Sequence, residues 1–164
     1  MLRKIKNALI SISDKTALNQ VLRVLKKYNI EIISSGGTYK AIKKLGYKCE
    51  EVSSYTGFKE MLDGRVKTLH PKIHSGILFN RSNKKHNKEM KKQKYLSIDL
   101  VVVNFYPFKN SVLNSKNEKN IIENIDIGGP TMVRAAAKNY KDVLIITEKN
   151  DYSRLVDELK KYKG

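Results

Sequence analysis

The most restrictive feature of the 164-residue chain is the run Asp99-Leu100-Val101-Val102-Val103-Asn104-Phe105-Tyr106. A continuous β-branched apolar stretch has no polar face to turn to water. It reads as a strand covered on both sides, which is the environment of a parallel sheet in an α/β protein. Pro107 then stops it. The rest of the chain alternates in the same sense. Ala8–Ile12 and Ile30–Ser34 read as buried strands, Cys49–Val52 as a weaker one, and Val143–Thr147 as the last. Between them, Leu18, Val21, Leu22 and Leu25 recur at helical spacing over Thr16–Lys27. Tyr39–Leu45 reads as a short helix stopped by Gly46, and Asp151–Tyr162 as a closing amphipathic helix. Strands alternating with helices predict one α/β domain over residues 1–164, a three-layer parallel sheet of Rossmann-like type, with ligands at the carboxyl ends of its strands.

The remaining segments are less regular. Phe58–Leu62 is expected to make one helical turn. Residues 63–74 show no clean period, and their mixed apolar and basic content points to an ordered, functional loop. The charged run 83–95 reads as a solvated surface helix. Residues 110–120 read as polar linker. A helix is expected from Thr131 to about Tyr140, with Pro130 in its first turn.

The net charge of +17 is the unusual bulk property. The excess is diffuse lysine with few arginines and no interleaved aromatics. It therefore reads as a solvated surface, not as a nucleic-acid site, though its field attracts phosphorylated ligands. No apolar run approaches the ~20 residues that span a bilayer, so no membrane partner is expected. Cys49 stands alone, with no thiol to pair with, and a reducing cytoplasm is the expected location.

Several segments can carry chemistry. Ser35-Gly36-Gly37-Thr38 joins a strand to a helix. Paired glycines with helix N-terminal N–H groups suit an anion, and equally suit a plain tight turn. Ser13-Asp14-Lys15 closes the first strand at the same end of the sheet. There Lys15 can meet a phosphate, and Asp14 can equally be a helix cap. Arg65-Val66-Lys67-Thr68 offers two cations and a hydroxyl. Asp126-Ile127-Gly128-Gly129-Pro130 sets a carboxylate before a helix, either as a base beside backbone donors or as part of an N-terminal cap. His70 and His74 flank Pro71, which breaks a helix through both. No carboxylate or thiol completes a set, so no metal site is expected.

The succession Ser-Asp-Lys-Thr, Ser-Gly-Gly-Thr, Gly-Arg-Val-Lys-Thr-Leu-His-Pro, Asn-Phe-Tyr-Pro-Phe and Ile-Asp-Ile-Gly-Gly-Pro-Thr, followed by Arg-Ala-Ala-Ala-Lys-Asn, resembles the inosine monophosphate (IMP) cyclohydrolase domain family. The resemblance runs from about Ala8 to Tyr152. It implies a methylglyoxal-synthase-like fold and the dehydrative closure of 5-formamidoimidazole-4-carboxamide ribotide to IMP, with no cofactor. It implies nucleotide contacts from Ser13, Asp14 and Lys15; from Ser35, Gly36, Gly37 and Thr38; from Arg65, Val66, Lys67 and Thr68; from Val103 and Asn104; and from Asp126 and Ile127. It implies Lys138 as the catalytic proton carrier, with Tyr106, Asp126 and Lys67 beside it. A homodimer is also implied. The larger formyltransferase domain that usually follows has no counterpart in these residues, so a partner domain or chain is a further expectation.

Two rivals share the fold: a lyase acting on a triose phosphate, and a regulatory module that senses a nucleotide without turning it over. One geometric difficulty stands. A straight helix from Thr131 carries Lys138 roughly 12 Å from Asp126, so the helix is expected to start later, bend, or lie across the site.

Overall fold

The computed structural model describes residues 3–105 and 108–164. Five strands form one parallel sheet: β1 (Asn7–Ile12), β2 (Glu31–Ser34), β3 (Glu50–Glu51), β4 (Leu100–Asn104) and β5 (Leu144–Ile146), in the order β3-β2-β1-β4-β5. Leu9 pairs with Ile33 on one side and Val101 on the other. Side chains alternate between faces, so the unbroken apolar runs feed two cores. Ala8, Ile10, Leu100 and Val102 pack under α1 (Leu18–Lys27), α2 (Gly36–Lys44) and α9 (Tyr152–Tyr162). Leu9, Ile33, Val101 and Val103 pack under α4 (Pro71–Leu78) and α8 (Gly128–Lys138). Each such side chain, taken fully out of water, contributes about 1.5–3 kcal/mol. The three-layer expectation from the β4 run holds.

Several local expectations do not. The third strand is only Glu50–Glu51, because Val52 already begins α3 (Val52–Thr56), which Gly57 ends at φ 74°. No helical turn forms at 58–62. Instead Met61 and Val66 make an isolated antiparallel bridge around a turn in which Leu62, Asp63 and Gly64 all have positive φ. Within 63–74, α4 begins at Pro71, whose missing N–H costs nothing at a first helical position. His70 is its N-cap, with Nδ1 accepting from the Lys72 N–H at 3.1 Å. The supposed linker at 110–120 contains parts of two short helices, α6 (Phe108–Asn114) and α7 (Glu118–Glu123), neither of which buries a residue. The charged run does form a helix, α5 (Lys84–Gln93), capped by Asn83 and anchored by buried Met90. Among the described residues no helix is long and apolar enough to cross a membrane.

Candidate active site

The chain leaves β1 toward β2 on one side of the sheet and later enters β4 on the other. The crevice beyond the carboxyl ends of β1 and β4 is therefore the topological switch point. Asn104, the last residue of β4, locks the loop that follows β1. Its Oδ1 accepts from the Ser13 N–H at 2.6 Å and the Asp14 N–H at 3.0 Å, and its Nδ2 donates to the Asp14 carbonyl at 3.0 Å. Thr38 does the same from α2. Its buried hydroxyl accepts from the Ile12 N–H at 3.1 Å and donates to the Ile12 carbonyl at 2.9 Å. The strand end is thus gripped from both flanks, leaving the Ser13–Lys15 loop little freedom.

Beside that loop, α2 starts at Gly36, with φ +54°, a conformation that costs any other L-residue roughly 1–2 kcal/mol. Two ammonium groups converge on its first turn. Lys67 Nζ lies 3.5 Å from where a Gly36 Cβ would stand, and Lys15 Nζ 3.9 Å from the corresponding point on Gly37. Lys15 Nζ also donates to the Ser13 carbonyl at 3.0 Å. No carboxylate pairs with either lysine among the described residues. Free N–H groups, a helix dipole and two point charges make this end a place for a phosphate.

A cavity of about 710 Å³ runs from this cradle, past Asn104 and Thr68, to Asp126 at the other end. Asp126 Oδ1 accepts from the Gly129 N–H at 2.9 Å, so the carboxylate sits on the N-terminus of α8. A Cβ on Gly128 would come within 2.6 Å of the Thr68 hydroxyl, and one on Gly129 would collide with the Asp126 carboxylate. The paired glycines therefore let the helix start close against both groups. In the same lining Arg65 Nε donates to Glu123 Oε2 at 3.1 Å, and its Nη2 pairs with Oε1. The pairing holds the Glu123 carboxyl below the usual carboxylate range and raises the Arg65 guanidinium.

The structure gathers Ser13, Lys15, Ser35, Gly37, Thr38, Arg65, Lys67, Thr68, Asn104, Asp126 and Ile127 around this one cavity. Gly36 lines an adjoining hollow together with Ser35 and Lys67. Other candidates fall elsewhere. The Asp14 side chain accepts from the Thr16 N–H at 3.0 Å and pairs with Lys149 at 2.8 Å; it does not cap α1, whose N-cap residue is Ala17 with no side-chain cap. These partners hold its carboxyl far below the ordinary range. Val66 belongs to the bridge with Met61, and Val103 to the core under α8. Tyr106 and Pro107 lie outside the described residues.

Lys138 is the main departure. The helix α8 begins three residues earlier than expected, at Gly128, so Lys138 at its far end lies further from Asp126, not nearer. It is exposed and borders a separate, apolar depression with Leu69, His74, Leu78 and Arg134. Burial pushes the pKa of His74 down there, against a hydrogen bond that the ring donates to the Thr68 backbone, and among the described residues its Nε2 is buried without a partner. Sequence reasoning missed Glu123, and it placed Asp63 and Gly64 in a functional segment without marking the turn they form; all three line the main cavity. No local pattern marked Glu123, because the helix it closes buries nothing.

A sequence model described as the MGS-like domain matches residues 17–131. The bifunctional purine biosynthesis protein PurH of Acetivibrio thermocellus is 52% identical over 157 residues, which are 95% of this chain and 30% of that protein. PurH of Bradyrhizobium diazoefficiens is 51% identical over 162 residues, 99% of this chain and 31% of that protein. The chain thus spans about 30% of the length of these relatives. Among solved structures, the crystal structure of ForH superposes with a TM-score of 0.86 at 28% identity, covering 97% of this chain and 80% of that one.

Proposed function

The chain belongs to the MGS-like domain family, and from that premise we propose that it works in purine biosynthesis as an IMP cyclohydrolase, closing the formamido ribotide to IMP with loss of water. The supporting observation is the two-ended cavity: Lys15 and Lys67, without a carboxylate partner among the described residues, on the α2 N-terminus at one end, and Asp126 on the α8 N-terminus at the other. A nucleoside monophosphate has the same polarity, a dianion at one end and an uncharged amide-bearing ring at the other. The names of the relatives point to the purine class.

Nucleophile and electrophile sit in one molecule, so the protein's task is orientation, proton handling and charge stabilisation. Lys15, Lys67 and the α2 N–H groups fix the phosphate. Asp126 takes a proton from the carboxamide nitrogen as that nitrogen bonds to the formyl carbon. The formyl oxygen gains charge, which the first N–H groups of α8 and the Thr68 hydroxyl stabilise. The hydroxyl formed on that carbon then leaves as water, while the former formamido nitrogen gives up its proton and the ring double bond forms. Lys67, which the resemblance sets beside the catalytic lysine, acts on the phosphate in this reading, because its ammonium stands against Gly36.

Lys138 is the proton donor that the resemblance implies. Ten residues of helix separate it from Gly128, about 15 Å at ~1.5 Å per residue. It serves the reaction across a contact between two copies, the homodimer that the resemblance implies, or not at all. Its distance is also what favours the second reading, a nucleotide sensor without turnover. An absorbance assay of ribotide cyclisation, run beside calorimetric titration with IMP, separates the two. Turnover supports the enzyme, and IMP binding without turnover supports the sensor.

A further inference from the structure

Glu123 occupies a position that local rules disfavour. It is the last residue of α7, where the helix end carries partial negative charge, and no cation lies in that turn. Neither α6 nor α7 buries a residue, and Leu113 and Ile122 are 71% and 50% exposed, so packing does not explain the position. What Glu123 does have is Arg65, held along one edge of the guanidinium through Nε and Nη2. Both residues line the main cavity. Arg65 follows the positive-φ turn Leu62-Asp63-Gly64, whose backbone is held by the Met61–Val66 bridge, and the carboxylate gives its side chain a fixed direction. Nη1 has no partner among the described residues.

The cations that line the cavity therefore differ in kind. Lys15 and Lys67 have no carboxylate partner among the described residues, whereas the charge of Arg65 is already cancelled by Glu123. A guanidinium so neutralised still donates hydrogen bonds but has little net attraction for an anion. The geometry points to Glu123 as a specificity-determining positioning residue: it aims Arg65 and cancels its charge, so that the cavity wall beside Arg65 accepts an uncharged amide face and leaves the phosphate to Lys15 and Lys67. This inference rests on the nucleotide reading above. The depressed Glu123 carboxyl agrees, since the pair stays ionised through neutral pH.

The test uses Glu123→Gln in the 164-residue chain and three calorimetric probes: ribose 5-phosphate, IMP, and xanthosine monophosphate, whose base is largely anionic at neutral pH. Glutamine keeps the shape and an acceptor but frees the Arg65 charge. Ribose 5-phosphate affinity should stay within about twofold. Affinity for xanthosine monophosphate relative to IMP should rise about tenfold, the scale of one charge-assisted hydrogen bond. An unchanged ratio in a variant that still binds all three would overturn the inference and leave the nucleotide reading standing. A loss equal across the three probes would also overturn it, reducing Glu123 to a structural tie. If the wild-type chain binds none of the three, the nucleotide reading falls and this inference falls with it.

Discussion

Asn104→Ala tests whether the phosphate end is built by the sheet or only lies near it. The side chain makes three hydrogen bonds to the backbone of Ser13 and Asp14, all part-buried and at 2.6–3.0 Å. At about 1 kcal/mol net apiece, their loss costs roughly 2–3 kcal/mol. For a chain of this size that lowers Tm by about 4–12 °C. The binding consequence follows from the same contacts. With the clamp gone, the Ser13–Lys15 loop must be ordered by the ligand itself, and affinity for ribose 5-phosphate should fall about tenfold or more. Asn104→Asp sharpens the result, since it keeps the oxygen that accepts from Ser13 and Asp14 and loses the amide that donates to the Asp14 carbonyl and to Tyr152 Oη. It should recover much of the stability, while its added negative charge keeps phosphate binding weak. Thermal unfolding and calorimetric titration measure both quantities. An alanine variant with Tm within about 1 °C of wild type and unchanged phosphate affinity would refute the clamp. A fall in Tm without a fall in affinity would show that the loop does not carry the phosphate.

Gly36→Ala should cost only about 1–2 kcal/mol of stability, from its left-handed φ of +54°. It also sets a methyl 3.5 Å from Lys67 Nζ in the anion's place, so ribose 5-phosphate binding should be lost well out of proportion to Tm; matched losses would argue against a cradle. Lys138→Ala should leave IMP affinity within about twofold, because Lys138 does not line the cavity. If Lys138 acts across two copies, mixing Lys138→Ala with Asp126→Ala should restore up to about a quarter of wild-type turnover, the share of sites that draw both residues from intact copies; full activity of the lysine variant alone would remove Lys138 from the chemistry. His74 makes stability depend on pH. Its pKa is depressed in the fold, so the unfolded chain binds the proton more readily. The neutral ring's contribution is complete above the unfolded value of about 6.5 and is lost as pH falls from there through the lower folded value. Tm measured from pH 7.5 to 5 should fall less steeply in His74→Leu than in wild type, and identical slopes would contradict the assignment.

What was legible in the sequence follows from which forces act locally. The β4 run announced a strand buried on both faces because no other environment hides four consecutive apolar side chains. The Ser35–Thr38 turn was legible as a strand-to-helix junction, but the two lysines over it were not. Lys67 arrives from a segment without period, and only the folded chain sets its ammonium against Gly36. The helices α6 and α7 were read as linker because they bury nothing, so the periodic apolar pattern that identifies a helix was absent. The start of α8 was misplaced by three residues because two glycines normally argue against a helix interior. Here they are required by the approach of Thr68 and Asp126, contacts with residues 60 positions and two or three positions away that no periodicity encodes.

Charge shows why position has to carry the functional argument. Lysine and arginine number 33 and aspartate and glutamate 16, so most cations in this chain have no carboxylate to meet. An unpaired lysine is therefore the ordinary state, and the freedom of Lys15 and Lys67 says little by itself. Their placement on the first turn of α2, Lys67 against left-handed Gly36 and Lys15 against Gly37, is what distinguishes them from the lysines of α5. The scarce carboxylates are the more informative partners. Of the five ion pairs among the described residues, Lys149–Asp14 braces the loop that carries Lys15 and Arg65–Glu123 lines the cavity itself. Exposed pairs of this kind contribute little to stability. These two are better accounted for by what they do to the charges a ligand meets: the first leaves Lys15 free of Asp14, and the second removes Arg65 from competition for the phosphate.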